Sequence, residues 1–369
     1  MKYYIIAGEA SGDLHGSNLI KAIHKNDATA NIRCWGGKLM QAANATLVKD
    51  YKDLAFMGFV EVIKNLPTIF KNLAFCKQDI TAFSPDVVIL IDYPGFNLRI
   101  AEWAKKKGYK VVYYIAPQVW AWKENRVKKM KTCIDKMLVI LPFEKKFFED
   151  KWHWPVTYVG HPLVEVVEAA LQQPTTPLSN KPIIALLPGS RKQEILKKLP
   201  IMLACSHHFP TYQFIVAQAP GLESSFYNTL LAPYSNVSVV NNSTYSLLQQ
   251  SKAALVTSGT ATLETALIGV PEIVCYKGSN ISVAIARLLV KIKYISLVNL
   301  IMDKLVVEEL IQEQLTVENL VLGLKNLLYN TAHQQQIARD YNNLFSLLKK
   351  GGKASENASN EIQRFLSKP

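Results

Sequence analysis

A doubly wound α/β architecture in two domains is what this chain predicts, on three observations. Short apolar runs alternate with helix-period runs through both halves. A polar, proline-punctuated stretch, Gln172-Gln173-Pro174-Thr175-Thr176-Pro177, separates the halves, and in each half small-residue turns follow strands and open helices. Alternation of this kind indicates a parallel sheet covered on both faces. A length of 369 residues is long for one core and comfortable for two.

Strand-like runs in the first half are residues 3–7, 87–91, 111–115, 137–141 and 157–159, with helical patterns such as 14–24 and 98–107 between them. After the connector the runs are 183–187, 213–217, 237–240, 253–256 and 272–276. From about Thr316 onward the pattern is helical and amphipathic, broken only by Gly351-Gly352. The expected division is residues 1–163, then 164–344, with a helical segment 345–369 returning to an N-terminal domain. Two such domains are expected to face each other across a cleft, with ligands at the carboxyl ends of the strands.

The formal charge of +13, from 42 Lys and Arg against 29 Asp and Glu, calls for an anionic partner. Basic runs at 105–107 and 126–131, and at Lys349, Lys350 and Lys353, are separated and belong to no nucleic-acid module, so nucleic acid is not the expected partner. Five cysteines, Cys34, Cys76, Cys133, Cys205 and Cys275, form no CxxC pair, which fits reduced thiols. No stretch approaches the roughly 20 apolar residues that span a bilayer, and residues 1–7 are too short for a signal-peptide core. A soluble or peripheral protein is expected.

Two turns carry the most chemical information: Leu187-Pro188-Gly189-Ser190-Arg191 and Ser258-Gly259-Thr260-Ala261-Thr262-Leu263-Glu264. Small residues between a strand and a helix N-terminus leave backbone N–H groups facing open space, where they bind phosphate. Arginine in the first turn of a helix opposes the macrodipole, which makes sense if an anion sits there. The pair suits a nucleoside diphosphate, with Arg191 on the pyrophosphate and Glu264 on ribose hydroxyls. In the first half, Gly8-Glu9-Ala10-Ser11-Gly12-Asp13 follows the first strand; Ser11 and Gly12 let a ligand approach, or Ser11 or Asp13 simply caps the helix. Asp92 ends a wholly apolar strand, before Tyr93-Pro94-Gly95-Phe96-Asn97. A catalytic base needs that placement, fixed by a sheet and open to substrate. Its alternative is a turn aspartate, although Asn97 is the better cap. Trp120 and Trp122 form a ligand-facing wall or core, His161 reads as structural, and His207 and His208 lack companions for a metal site.

Residues 56–75 are more apolar than one core-facing stripe requires, with Lys64 and Lys71 interspersed and Pro67 interrupting the helix. Such a segment lies in a membrane interface through Phe56, Met57, Phe59, Ile63 and Phe70, or is a well-buried helix.

Taken in order and spacing, these motifs resemble the lipid-A-disaccharide synthases nearly end to end. Pro117 to Trp122, Leu141-Pro142-Phe143-Glu144, Gly160-His161-Pro162 and Asn299 complete the set. The resemblance implies a GT-B fold and an inverting transfer. UDP-2,3-diacylglucosamine and 2,3-diacylglucosamine 1-phosphate give the β-1,6-linked disaccharide 1-phosphate and UDP. It implies Asp92 as base and a UDP-side set of Gly189, Ser190, Arg191, Ser258, Gly259, Thr260, Glu264 and Asn299. Further implications are peripheral attachment to the inner membrane, no metal or other cofactor, and a homodimer exchanging C-terminal segments. Glu272 departs from the pattern as a charge in an apolar strand. A non-hydrolysing UDP-N-acetylglucosamine 2-epimerase is the alternative of like architecture, but it gives the 56–75 segment no purpose.

Overall fold

The computed structural model describes residues 1–54, 66–278 and 292–367. Two compact units divide them: residues 1–162 with 349–369, and residues 163–348.

The first unit holds a seven-stranded parallel sheet in the order β3-β2-β1-β4-β5-β6-β7. Its strands are β1 (Lys2–Ala7), β2 (Asn31–Gly36), β3 (Thr46–Asp50), β4 (Val87–Ile91), β5 (Lys110–Tyr114), β6 (Lys136–Val139) and β7 (Thr157–Tyr158). Side chains of β1 alternate between two cores, Tyr4 and Ile6 on one face, Tyr3, Ile5 and Ala7 on the other. That is the period-two rule with both faces covered. The helix Ala354–Leu366 returns to this unit, where Ala358, Ile362 and Leu366 join Leu19, Ile20 and Ile23 of the helix Ala10–Asn26. Lys25–Glu356 at 3.0 Å and Asn26 Nδ2 donating to Ser359 Oγ at 3.1 Å fasten its polar edge.

In the second unit six parallel strands run β10-β9-β8-β11-β12-β13. They are β8 (Ile183–Leu187), β9 (Gln213–Ala217), β10 (Val237–Val240), β11 (Ser251–Thr257), β12 (Glu272–Tyr276) and β13 (Glu308–Ile311). Strands β2, β3 and β13 carry no prediction in the sequence. β3 and β13 are edge strands exposed on one side, so their residues lack the apolar run that marks a central strand. The strand expected over 137–141 ends at Val139, because Glu144 turns its carboxylate back onto the Ile140 and Leu141 amides and begins a helix there.

Strand order reverses between β1 and β4 in one sheet and between β8 and β11 in the other. Each switch point opens a crevice at the carboxyl ends of the strands, where open α/β sheets bind ligands. In the first unit the chain leaving these strands passes through Glu9 to Ser11 and through Asp92; in the second it passes through Gly189 to Arg191 and Ser258 to Thr260.

Candidate active site

Asp92 leaves β4 in a left-handed conformation, φ 45°, and Tyr93 follows at φ 49°. Two consecutive non-glycine residues in that region are strained and persist only when their surroundings hold them. Here the Asp92 carbonyl accepts hydrogen bonds from the buried Tyr113 hydroxyl at 2.5 Å and from Asn97 Nδ2 at 2.8 Å. Asn97 also donates to the Ile91 carbonyl at 3.2 Å. It therefore clamps the turn rather than capping the helix Pro94–Lys106, whose N-cap is Tyr93. The clamp grips the main chain of half-buried Asp92 and takes up none of its carboxyl. Burial, with Glu9 as a negative neighbour, lifts that carboxyl to about 6, against a smaller opposing pull from the Tyr93 amide. A carboxylate so adjusted is ionised near neutrality yet holds a proton better than an ordinary aspartate, the requirement for a general base.

Across the switch point, Gly8 gives Tyr93 its place: a Cβ there would lie 2.3 Å from the Tyr93 ring. Gly12 is buried, and a Cβ on it would come within 3.0 Å of Ala7 Cβ. It serves helix-on-strand packing, contrary to the expectation that a ligand approaches it. Ser11, half-exposed in the first turn, remains available. Asp13 caps a different helix from the one expected, accepting from the Gly37, Leu39 and Met40 amides at 2.8, 3.2 and 3.0 Å.

Glu144 is fully buried and its acidity is weakened to about 7 by burial, despite hydrogen bonds from the Leu141 and Ile140 amides and Trp120 Nε1. Trp120 is thereby fixed, edge-on to Phe143 at 4.9 Å. Trp122 stands 41% exposed, with Lys123 Nζ 4.5 Å from its ring centroid. Neither tryptophan is core; Val119 and Ala121 fill that role. His15 and His161 are buried and pushed down to about 4 and about 3 by burial, so both are neutral at physiological pH.

In the second unit, Gly189 adopts φ 121° and Gly259 φ 152°, conformations that L residues rarely reach. They turn the chain into the helices Lys192–Cys205 and Thr260–Ile268, neither of which has a side-chain N-cap bond. The first amides of both helices are therefore not capped by a side chain. Arg191 is the N-cap, with extended backbone, rather than a first-turn residue. Its guanidinium is half-exposed and donates to Glu194 Oε1 at 3.2 Å. Lys198, buried beneath this turn and lowered in pKa chiefly by burial, is a residue sequence reasoning missed. Arg191, Glu194 and Lys198 fall at helical spacings of three and four, a signal that could have found it.

Glu264 accepts from Tyr245 Oη at 2.7 Å, and burial raises its pKa. Ser258 Oγ donates to the Ile295 carbonyl at 3.0 Å. Asn299 is fully buried and its amide is spent within the protein. Nδ2 donates to the Val307 carbonyl and Glu309 Oε1 at 2.8 and 2.9 Å; Oδ1 accepts from the Val306 and Val307 amides at 2.8 and 2.9 Å. This runs against the expectation of a direct contact with nucleotide, since the side-chain amide is fully engaged by Val306, Val307 and Glu309. Glu309, also missed, grips the Ile295 and Ser296 amides, so the loop that Ser258 touches is held from both sides.

Phe56, Met57, Phe59 and Ile63 lie outside the described residues. Phe70 is 59% exposed and Phe75 45%, while Leu73, Cys76 and Ile80 of the same helix are buried. All five cysteines are free and buried. Among the described residues no group of three or more His, Cys, Asp or Glu is placed to hold a metal ion, and no helix is long and apolar enough to cross a membrane.

Two parallel α/β units, each with its candidate groups at a switch point, define a protein of the GT-B class. Solved structures agree on the fold. A UDP-GlcNAc 2-epimerase from Neisseria meningitidis, bound to UDP-GlcNAc, matches with a TM-score of 0.70 over 100% of both chains at 14% identity. The kitacinnamycin glycotransferase matches with 0.70 over 99% of both at 12% identity. At that identity the likeness speaks for fold alone. The family comes from sequence: residues 3–363 match the model described as lipid-A-disaccharide synthetase, and the chain belongs to that family. A lipid-A-disaccharide synthase of Geobacter metallireducens is 36% identical over 99% of this chain and 97% of its own. That of Trichlorobacter lovleyi is 38% identical over 90% of each. The chain is thus a glycosyltransferase of lipid A biosynthesis.

Proposed function

We propose that the two switch points divide the work of one inverting transfer, Asp92 activating the acceptor and the second unit holding the UDP of the donor. The reaction joins UDP-2,3-diacylglucosamine to 2,3-diacylglucosamine 1-phosphate. Asp92 takes the proton from the acceptor hydroxyl as its oxygen bonds to the anomeric carbon. The bond from that carbon to the β-phosphate oxygen breaks, and UDP leaves from the opposite face carrying the electron pair. This is the single-displacement geometry of inverting glycoside cleavage, with a sugar hydroxyl in place of water.

Charge gathers on the departing diphosphate, where Arg191 and the amides following Gly189 and Gly259 receive it. Well-aimed donors of this kind contribute about 3 kcal/mol each to such a transition state. Ser190, Ser258 and Thr260 add hydroxyls around the same turns. Glu264, with one oxygen held by Tyr245, presents the other to the ribose hydroxyls. Ser11 contacts donor or acceptor. The observation that carries this reading is the strained Asp92 turn at the end of β4, held through its carbonyl by Tyr113 and Asn97, with its carboxyl raised to about 6 by burial and by Glu9.

Both substrates bear acyl chains, which supplies a reason for exposed Phe70 and Phe75 beside the apolar run 56–65. The net positive charge favours an anionic surface, each nearby Lys or Arg adding about 1 kcal/mol. We place the protein on the cytoplasmic side of the inner membrane, as a homodimer in which segment 345–369, whose helix Ala354–Leu366 packs here on its own chain, is exchanged between copies. The deciding experiment incubates the protein with UDP-2,3-diacylglucosamine alone and with the monophosphate acceptor. UDP release should require acceptor and yield the disaccharide; release independent of acceptor overturns the proposal.

A further inference from the structure

Strand β5 pairs with β4 in register, Ile91 beside Tyr114, so the chain leaving β5 starts next to the Asp92 turn. The two are also tied directly. The Asp92 amide donates to the Tyr114 carbonyl at 3.3 Å, and the Tyr113 hydroxyl donates to the Asp92 carbonyl. Past Trp120, which Glu144 fixes, the chain turns tightly, the Lys123 carbonyl accepting from the Arg126 amide at 3.0 Å. Lys123 itself stands at φ 54°, a left-handed conformation that non-glycine residues seldom adopt. The turn sets two cations on one ring. Lys123 Nζ lies 4.5 Å and the Arg126 guanidinium carbon 5.4 Å from the centroid of the exposed Trp122.

Neither cation has an acidic partner among the described residues. Glu124, between them in sequence, is drawn away: it pairs with Lys151 at 2.6 Å and accepts from Trp152 Nε1 at 3.1 Å. Other members of the basic run are spent within the protein, Lys129 on Glu102 and Lys131 on the Trp152 and His153 carbonyls. Arg126 also opens the helix Arg126–Cys133, whose first turn holds no acidic residue. A cation there opposes the macrodipole, and a second one on the same ring adds repulsion. The ring face returns only part of that cost. An anion held by both cations removes each penalty.

We infer that Lys123 and Arg126, braced on Trp122, hold the phosphate monoester of the acceptor, an inference that rests on the transfer proposed above. In that acceptor the hydroxyl that Asp92 deprotonates and the phosphate flank the same ring oxygen, so one sugar ring separates base from anion site. Neighbouring strand ends meet that requirement. Burial and the Asp92 charge push the Tyr113 phenol far up, and Arg126 is near enough to pull against them. The guanidinium fork suits two phosphate oxygens at once, and the ammonium supplies a further charged donor. The phosphodiester of an anionic lipid offers related chemistry, so the test separates the two sources.

Transfer is measured in neutral detergent micelles with UDP-2,3-diacylglucosamine as donor, and with either 2,3-diacylglucosamine 1-phosphate or 2,3-diacylglucosamine as acceptor. The native protein should prefer the phosphorylated acceptor by about 100-fold in kcat/KM, as two charge-assisted contacts require. In the double variant Lys123→Gln, Arg126→Gln that preference should shrink to a few-fold, through a higher acceptor KM and with the donor KM unmoved. Lys123→Gln alone, at an exposed position, should cost about 10-fold of the preference, which keeps the test decisive if the double variant misfolds. No preference in the native protein, a preference that survives in the folded double variant, or an equal rise in both KM values overturns the inference. So does loss of flotation with phosphatidylglycerol vesicles while acceptor kinetics in micelles stay native, which would make the pair a membrane contact. UDP release without acceptor would instead sink the transfer reading itself, and the subsite with it.

Discussion

Asp92→Asn isolates the proposed base with little disturbance of its surroundings. Asparagine matches aspartate in shape and tolerates the left-handed conformation equally well, so the φ of 45° adds no new strain. The clamp from Tyr113 and Asn97 grips the residue 92 carbonyl and survives the change. Alanine would be a poorer test, since it adds backbone strain on the order of 1 kcal/mol. The native carboxyl, raised from 3.8 to about 6, has a proton affinity greater by roughly 3 kcal/mol than an unperturbed aspartate. At pH 7.5 it is nonetheless more than about nine-tenths ionised. An amide cannot accept the proton, so turnover should fall by about 10²–10⁴, equivalent to ~3–5 kcal/mol in the barrier. The assay follows UDP release in the presence of both lipid substrates, with thermal unfolding and UDP titration as controls. For the native protein, kcat/KM should rise as pH climbs through about 6 and the base loses its proton. Turnover of the folded variant within a few-fold of native, or an acid limb that persists in it, refutes the assignment.

Glu9→Gln removes the negative neighbour that helps raise Asp92, so the acid limb of kcat/KM should move to lower pH; an unmoved limb means the two carboxyls are not coupled. Gly189→Ala forces a side chain into φ 121° at a cost of about 1–3 kcal/mol. Calorimetry should show weaker UDP binding in a folded protein, and native affinity would remove this turn from the phosphate site. Asn299→Ala strips the Val306 and Val307 amides of their acceptor and should lower unfolding stability by about 3 kcal/mol, read by urea titration. Unchanged stability with lost UDP binding would restore Asn299 to direct contact. Phe70→Ser, at an exposed site, should reduce flotation with anionic vesicles while leaving the melting temperature in place; a large drop in melting temperature would make Phe70 a core residue.

Strand cores β4, β8, β9 and β12 are legible because they are continuous apolar runs bounded by turn residues, and burial on both sheet faces demands such runs. β2, whose Asn31 and Arg33 break the run, is not, although its Trp35 is entirely buried and bonded through Nε1 to Tyr4 Oη at 2.8 Å. Likewise the spacing of Asp92 from its strand marks a candidate base, but the sequence has no means of indicating Glu9 as its electrostatic neighbour. Glu9 and Asp92 are 83 residues apart and meet only because β1 and β4 pair at the switch point.

By itself the sequence determined the class of fold, the two small-residue turns proposed here to bind phosphate, and the family, since periodicity, small-residue turns and ordered motifs are local properties. Only the tertiary structure decided which polar groups are consumed inside the protein. Asn299 and Asp13 look as functional in the chain as Asp92 does. Packing gives the Asn299 amide four hydrogen bonds and the Asp13 carboxylate three, while the Asp92 turn is held by its carbonyl rather than its carboxyl. The physical reason is that hydrogen-bonding capacity is finite, and its allocation depends on neighbours brought from distant parts of the chain.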